Sequence, residues 1–426
     1  MIVLHAGFDG LDLALMGTAP PQLIQNLEIA KQSALDQQRD IPITVNGVEV
    51  QVGPSGRRGG YSCTFSTGRT GAIWAVKRPR PGDVWGVYVS ARSRALALLG
   101  LEAVRADITE TAARLGFNVP DHGVSLGRVD FAVDLLAPDF RLDPMAFVTH
   151  PRTTRKTHGD LTEIATNGRS GSVSSVTVGK MPGRQVIVYD KTDEALTKGK
   201  SEWPLLWNAA LARMGLPERD FTDRKANRVW RVEYRLGKIG LRARHDIRRW
   251  SAFYDLVQGE FDQLALDASL RAPTGDSNRS RWPEHPLWAL ARETLAERLF
   301  AHDVTVPPEA VRAIDLAEKQ AEFLRGLTGS AVTLAYLEGV TPDRFPDFAA
   351  ALPDRMQTFL DSHPRKLPQR MREAEEKYRE LVWRTPGTGT RTSESCWSSD
   401  RGWQCCVHPP LELRCWVSVP KLCSAV

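Results

Sequence analysis

Residues Arg128–Asp134 read RVDFAVD, and this segment carries the pattern that decides the fold. Because successive side chains of a β-strand point to opposite faces of a sheet, its two valines and its phenylalanine share one face. Arg128, Asp130 and Asp134 share the other face. The alternation predicts a strand of an antiparallel sheet with one apolar face and one charged face.

The two aspartates of this strand have two explanations. Any strand with one solvated face shows charged residues at alternate positions, so an ordinary surface accounts for them. However, Asp130 and Asp134 are about 13 Å apart on one face, and like charges on one strand face do not stabilise a sheet. The second explanation is therefore a cation or a basic partner nearby.

A second predicted strand, QVIVYDK, spans residues Gln185–Lys191 and places Tyr189 and Lys191 on one face. A free tyrosine has a pKa of about 10, and a neighbouring ammonium group would favour the phenolate. Tyr189 is therefore a candidate nucleophile, and Lys191 is a candidate residue to assist its deprotonation. The alternative is an ordinary tyrosine at a strand end, with its hydroxyl group in water.

A third predicted strand, RVWRVEYR, spans residues Arg228–Arg235 and aligns Arg231, Glu233 and Arg235 on one face. This alignment fits a surface ladder of ion pairs. It also fits a metal ligand set among guanidinium groups that bind phosphate. The nine histidines form no His-x-His pair, so we expect any metal to be held by oxygen, as Mg²⁺ or Mn²⁺.

The order of the other elements predicts the fold class. Strands, hairpins and helices alternate irregularly up to about residue 265, which indicates an α+β fold, mainly an antiparallel sheet with flanking helices. From about Arg279 to Trp383 only helical patterns remain, which predicts a smaller all-helical domain. The predicted strands lie at 8–15, 43–52, 61–66, 72–77 and 84–90, and the predicted helices include 92–115 and 203–213.

The last part of the chain has a different composition. Five of the six cysteines lie in the last 31 residues, without a C-x-x-C pair, so the sequence gives little support for a zinc module there. No periodicity would bury this segment. We therefore expect a first domain at 1–265, a helical accessory domain at 279–384 and a disordered tail at 385–426.

Charge is unevenly distributed along the chain. The net charge is +5, but residues 141–250 contain 22 Lys and Arg against 12 Asp and Glu, so the remainder carries a net charge of −5. A basic quarter favours a polyanionic partner such as a nucleic acid, and Arg242 and Arg244 extend this run into the next helix. The alternative is a solvated basic surface without a partner.

The sequence gives no sign of a membrane protein. Its apolar stretches are far shorter than the roughly 20 residues that a spanning helix needs. The first residues, MIVLHAGFDGLDLAL, place Asp9 and Asp12 where a signal peptide has its apolar segment. We expect a cytoplasmic protein.

Four segments occur in a characteristic order: WGVYVSARSRALALLG (85–100), RVDFAVDLL (128–136), SSVTVGKMPGRQVIVYDK (174–191) and RVWRVEYRL (228–236). In this order they resemble the replication initiation factor family, the rolling-circle initiators of plasmids and filamentous phages, with relatives in conjugative transposons. The resemblance covers about residues 84–256. The turn VGKMPGR departs from the small Gly-Ser turn common in the family, and the helical region carries no family motif.

The resemblance implies an enzyme that nicks and rejoins single-stranded DNA at an origin through a tyrosine–phosphate bond. Residues 1–265 would be its catalytic domain, and a divalent cation would polarise the phosphate that is cleaved. The implied roles are Tyr189 and Lys191 in catalysis, Asp130, Glu233 and Asp134 as ligands of Mg²⁺ or Mn²⁺, and Arg128, Arg231, Arg235, Arg242 and Arg244 in DNA binding.

Two other functions fit the same residues. A replication or copy-control protein would bind DNA without cleaving it, and a metal-dependent phosphodiesterase would use water as its nucleophile. The expected partner is origin DNA, single-stranded or cruciform, and the helical region would recognise the origin, contact a helicase or mediate dimerisation. Residues 316–337 fit either a helix-turn-helix or ordinary helical packing.

Overall fold

The computed structural model describes residues 1–120, 122–149, 164–169, 172–301, 306–363 and 366–382. Within these residues, eleven strands form one antiparallel sheet and two short strands pair with each other. Helices flank the sheet, and a helical region follows it. The predicted α+β class, with a mainly antiparallel sheet, is confirmed.

The large sheet has the strand order β2-β3-β4-β5-β6-β1-β7-β12-β11-β10-β9. Its long central strands, β1 and β7, pair along most of their length, and β12 pairs on the other side of β7. The strands are β1 (Ile2–Leu15), β2 (Ile41–Val45), β3 (Val48–Val52), β4 (Tyr61–Ser66), β5 (Ala72–Lys77), β6 (Val87–Ala91), β7 (Val124–Leu136), β8 (Phe147–Thr149), β9 (Ile164–Arg169), β10 (Ser172–Gly179), β11 (Arg184–Asp190), β12 (Val229–Gly237) and β13 (Ala268–Leu270).

Helices lie between the strands and dominate the chain after β13. Helix α2 contains a kink at Gly100, whose φ of 80° and ψ of 168° are not helical. The helices are α1 (Pro21–Gln37), α2 (Ser93–Arg114), α3 (Lys191–Thr197), α4 (Glu202–Arg213), α5 (Lys238–Ala243), α6 (Trp250–Asp267), α7 (Pro286–Arg298), α8 (Pro308–Leu337), α9 (Phe345–Asp361) and α10 (Lys366–Val382).

One face of the sheet is apolar and forms the main core. Strand β7 contributes Val129, Phe131 and Val133, as its alternation predicts, and all three side chains are fully buried. Helices α1, α2, α6 and α7 bury their apolar residues in the same cluster. Burial of large apolar side chains contributes about 1.5–3 kcal/mol each, so this face supplies most of the stabilisation of the sheet.

Two predictions for the first 91 residues are wrong. The single strand predicted at 43–52 is a hairpin, because Asn46 and Gly47 both have positive φ and make the tight turn between β2 and β3. The helix α1 was not predicted. It begins with a proline at its first position and buries Leu23, Leu27 and Ala30 at helical spacing.

The helical region also differs in detail from the expectation. Residues Met1–Val382 form one unit, and α7 contributes Leu287 and Trp288 to the core of the sheet. A division of the chain near residues 265–279 therefore stays a prediction. The helix-turn-helix considered for 316–337 is wrong, because α8 is one continuous helix across these residues.

The tail predicted at 385–426 lies outside the described residues. In the part of the chain that the structure describes, no helix is both long enough and apolar enough to cross a bilayer.

Candidate active site on the polar face of the sheet

The opposite face of the sheet gathers polar side chains from four neighbouring strands into one row. In the strand register, His5 of β1 pairs with Asp134 of β7, Asp134 pairs with Arg231 of β12, and Arg231 pairs with Tyr189 of β11. Side chains at directly paired positions share a face and are close enough to interact. The structure therefore brings together Asp134, Arg231 and Tyr189, which the sequence predicted on three separate strands.

Arg231 is the centre of this row. Its side chain is fully buried, and its Nε and Nη2 donate to the two carboxylate oxygens of Asp134 at 2.5 and 2.9 Å. Its Nη1 donates to Asp9 Oδ1 at 2.6 Å, and Trp207 Nε1 donates to Asp134 Oδ2 at 2.9 Å. One guanidinium group thus neutralises carboxylates from β1 and β7.

The electrostatics of the row follow from burial and from this guanidinium group. Burial alone would raise the pKa of Asp134, but Arg231 outweighs it and lowers that pKa below its usual value. Burial lowers the pKa of His5 to about 4, so the imidazole is neutral at pH 7. The His5 ring lies edge-on to Trp203 of α4, with 5.2 Å between ring centres.

Tyr189 is the penultimate residue of β11 and is partly exposed. Asp190 ends the strand and caps α3, because its Oδ1 accepts from the backbone N–H of Asp193 at 2.9 Å. Arg228 Nε also donates to Asp190 Oδ2 at 2.6 Å. The chain therefore turns immediately after Tyr189, and Lys191 is the first residue of a helix rather than the continuation of the strand.

Lys191 does not have the environment that the sequence suggested. Its Nζ is 5.7 Å from the centre of the Tyr189 ring and 4.4 Å from that of Trp203. The same Nζ donates to Glu194 Oε2 at 2.7 Å, so a carboxylate neutralises the ammonium group. Burial, followed by the charge of Arg231, lowers the pKa of Lys191 to about 8.

The Tyr189 phenol is protonated in the resting protein. Burial raises its pKa well above 10, and the Arg231 charge opposes this only in part. We expected Lys191 to favour the phenolate, but its charge is shared with Glu194. A base must therefore take the phenolic proton before Tyr189 can act as a nucleophile.

A second polar group lies further along the same face. Arg128 donates from Nε to Asp130 Oδ1 at 2.9 Å and from Nη2 to Oδ2. Arg235 Nε donates to Glu233 Oε1 at 2.7 Å and is 3.8 Å from Asp130 Oδ2. Gly10 of β1 makes room for this group, because a Cβ atom there would be 2.5 Å from Asp130 Oδ2.

The carboxyl group of Asp130 titrates near neutral pH. Burial is the largest cause that raises its pKa to about 7, and the Glu233 carboxylate adds to it, while the hydrogen bonds from Arg128 oppose the shift. Glu233 Oε2 is buried and has no hydrogen-bond partner among the residues that the structure describes. The pair can therefore hold a proton at pH 7.

The predicted ligands of Mg²⁺ or Mn²⁺ do not form one site. Asp134 lies with Arg231, four residues along β7 from Asp130, and both its oxygens accept hydrogen bonds. Asp130 and Glu233 each face a guanidinium group, from Arg128 and Arg235. Among the described residues, no group of three His, Cys, Asp or Glu side chains is arranged to hold a metal ion. These carboxylates do not fit a divalent cation, because arginines already neutralise them.

The predicted DNA-binding arginines have different environments. Arg231 is fully buried, so it is not accessible to a phosphate, whereas Arg128 and Arg235 are partly exposed at the edge of the carboxylate pair. Arg242 is partly exposed, and Arg244 is exposed on the chain between α5 and α6. Three of the five arginines named here therefore pair with carboxylates of the same face.

Asp9, His5 and Trp207 belong to this row but were not predicted from the sequence. Asp9 and Asp12 lie in a strand whose other residues are mostly apolar, and they served there only as an argument against a signal peptide. The two are three residues apart, so strand alternation places them on opposite faces, and the irregular pairing of β1 between Phe8 and Gly10, which sequence does not reveal, accompanies the contact of Asp9 with Arg231. Trp207 gave no signal, because its contact with Asp134 depends on tertiary packing.

Comparisons with known proteins give a weak similarity to a solved structure. No protein-family model matches the chain, and no curated protein matches it. A solved structure described as a rolling circle replication initiator protein from Geobacillus stearothermophilus is 14% identical, covering 70% of this chain and 98% of that chain, with a TM-score of 0.35. A similarity at this level assigns no role to any residue.

Replacing Arg231 tests the central ion pair. Arg231→Met leaves the buried Asp134 without its cation, so the free energy of unfolding should fall by about 3–5 kcal/mol. The matched control is Arg248→Met, which removes an exposed pair with Asp246 and should cost less than about 1 kcal/mol. Denaturant unfolding measures both, and equal losses would show that the buried pair has no special role.

The Asp130 carboxyl group predicts a pH dependence of stability. Its pKa is raised in the folded protein, so its contribution is fully present below about pH 4 and is lost as the pH rises through about 7. The Asp130→Asn variant should lack this decline, which is on the order of 2 kcal/mol between pH 5 and 8. Chemical unfolding at several pH values checks this, with the exposed Asp246→Asn as control. Parallel curves for wild type and Asp130→Asn would contradict it.

Proposed function

We propose that the protein nicks and rejoins single-stranded DNA at a replication origin through a covalent bond between Tyr189 and a 5′-phosphate. The observation that carries this proposal is the position of Tyr189, a partly exposed residue that pairs across the sheet with the buried cation Arg231. The order of sequence segments that resembles replication initiation factors supports the same reaction. The basic character of residues 141–250 supports a polyanionic substrate.

The chemistry is a transfer of a phosphoryl group to tyrosine. Tyr189 Oη attacks phosphorus in line, the bond from phosphorus to the 3′-oxygen breaks, and the products are a 5′-phosphotyrosine and a free 3′-hydroxyl group. The phenolic proton goes to a base, and the leaving 3′-oxygen takes up a proton. Rejoining is the reverse transfer, in which the 3′-hydroxyl group attacks the phosphotyrosine.

Two residues have environments suited to these steps. Lys191 has a pKa of about 8, so a substantial fraction is a neutral amine at slightly alkaline pH and can accept a proton. Arg231 is a fixed positive charge beside Tyr189 and opposes the effect of burial on the phenol. Because Asp130, Glu233 and Asp134 do not fit the predicted cation, the proposal depends on the side chains of the chain itself.

The second candidate is a DNA-binding protein without cleavage activity. The raised pKa of Tyr189 and the pairing of Lys191 with Glu194 favour it, because both oppose a reactive phenolate. Binding affinity for DNA would be the same under both proposals. The two candidates are distinguished by whether DNA becomes covalently bound to the protein.

Replacing the tyrosine tests the reaction. The chain is incubated, with and without Mg²⁺ or Mn²⁺, with single-stranded oligonucleotides that tile the DNA flanking its own gene. We expect a protein–DNA adduct that survives denaturing electrophoresis and is absent in Tyr189→Phe. Tyr336→Phe is the control, since Tyr336 is 81% exposed and lies on α8. Binding with no adduct would support the non-catalytic protein, and cleavage with no adduct would support water as the nucleophile.

The pH profile tests the role of Lys191. If its amine accepts the phenolic proton, the rate of adduct formation should rise as the pH passes through about 8. Lys191→Arg stays protonated, so it should lose this inflection and slow the reaction roughly 10²- to 10⁴-fold. Lys198→Arg is the matched control, because Lys198 also contacts Glu194, at 3.0 Å, but is mostly exposed. An unchanged profile in Lys191→Arg would remove Lys191 from the mechanism.

A further inference from the structure

A separate cleft opens on the polar face at the far end from Tyr189. It has a volume of about 690 Å³ and lies between β1, β5, β6, the start of β7 and the segment from Lys238 to Arg249. Arg231 and Gly237 are six residues apart on β12, so this end lies ~20 Å from the Tyr189 row. We call it the basic cleft, and its charged and aromatic lining consists of Asp12, Tyr61, Lys77, Asp83, Trp85, Tyr88, Lys238, Arg242, Arg248 and Arg249.

The basic cleft has more cations than its own carboxylates neutralise. Five lysines and arginines line it against two aspartates. Lys77 pairs with Asp83 at 2.8 Å, whereas Lys238, Arg242 and Arg249 have no carboxylate partner within the described ranges. Unpaired positive charges that converge in a cleft raise the local concentration of anions. The cleft therefore fits an anionic ligand.

Arg242 gives independent evidence for a missing partner. Its Nε is buried and makes no hydrogen bond to any residue that the structure describes, while its Nη2 donates to Ser125 Oγ at 3.3 Å. Burial is the largest cause that lowers its pKa, the nearby Arg248 adds to it, and Asp246 opposes the shift only in part. A buried donor without a partner costs about 1–3 kcal/mol, and a phosphate oxygen in the cleft would satisfy it.

Aromatic side chains form the opposite wall. The rings of Tyr61 and Tyr88 have centres 5.9 Å apart, and Lys77 Nζ is 5.0 Å from the Tyr61 ring. Trp85 is partly exposed and contacts no other aromatic ring in the described part of the chain. Partly exposed rings beside unpaired cations are what unpaired nucleotides require, because bases stack on the rings while phosphates pair with the cations.

We propose that the basic cleft binds a single-stranded nucleic acid, with phosphates at Lys238, Arg242 and Arg249 and a base stacked on Trp85. Single strands are favoured over a duplex because paired bases expose no free ring faces for stacking. This deepens the proposed function, since Arg128 and Arg235 lie between the cleft and Tyr189 and make one polar surface for a continuous strand. Binding in the cleft does not depend on the covalent step.

The test measures binding of a fluorescent 20-nucleotide single strand of mixed sequence, and of its duplex, by anisotropy at several salt concentrations. The full chain carries Tyr189→Phe throughout, so a failure of the nicking proposal leaves this result unaffected. We expect tighter binding of the single strand than of the duplex. The double variant Arg242→Ala and Arg249→Ala should weaken binding at least tenfold and reduce the slope of log Kd against log salt by about 1.4, since each lost phosphate contact accounts for about 0.7.

Two variants of Trp85 test whether a base stacks on its ring. Trp85→Ala should weaken binding roughly 5- to 100-fold, and Trp85→Phe should retain most of the affinity, because a phenyl ring still stacks. Arg325→Ala and Tyr336→Ala are controls on α8 and should bind like the parent. Thermal unfolding confirms that each variant is folded. Equal affinity for the duplex, or unchanged binding in the cleft variants, would overturn the proposal.

Discussion

The ion pair between Arg231 and Asp134 is the interaction on which the sheet and the site both depend. A buried charge is tolerated only when it is fully paired, and here one guanidinium group uses three nitrogens to pair two carboxylates. Its partners come from β1 and β7, which are distant from β12 in the sequence. The strand order β1-β7-β12 is therefore the one that leaves none of these charges alone. The same charge acts on Tyr189 from the next strand.

The two faces of the sheet differ, because one forms the main apolar core and the other carries the candidate site. Helices α1, α2, α6 and α7 cover the apolar face, whereas the polar face carries carboxylates, arginines, a phenol and the basic cleft, and α4 packs over its Arg231 row through Trp203 and Trp207. A shift of β7 by one residue would place Asp134 in the apolar core and Phe131 among the arginines. The ion pairs thus fix the register of the central strands as strictly as the apolar side chains do.

The sequence predicted the fold best where one strand could be interpreted alone. The alternation in β7, β11 and β12 gave the correct faces, because the period of a strand is local. The helix α1 and the turn at Asn46 and Gly47 were missed, although each carries a local signal. The assembly of the site could not be predicted, because Asp9, Asp134 and Arg231 meet only through the strand order. For the same reason, Asp130 and Asp134 suggested a metal on one strand, while arginines from β7 and β12 neutralise them.

The charges in the Tyr189 row and the charges in the basic cleft depend differently on pH. At pH 7 the phenol of Tyr189 is protonated and Lys191 is mostly charged, so the row holds neither a phenolate nor a neutral amine that could start the proposed transfer. The basic cleft lies ~20 Å away and depends on arginines whose charge does not change in this range. Under the proposed function, a strand would be held in the basic cleft at any physiological pH, whereas transfer to Tyr189 would require loss of a proton from Lys191. Because Glu194 accepts a hydrogen bond from the charged amine at 2.7 Å and stabilises it, loss of this contact would make the proton of Lys191 easier to lose.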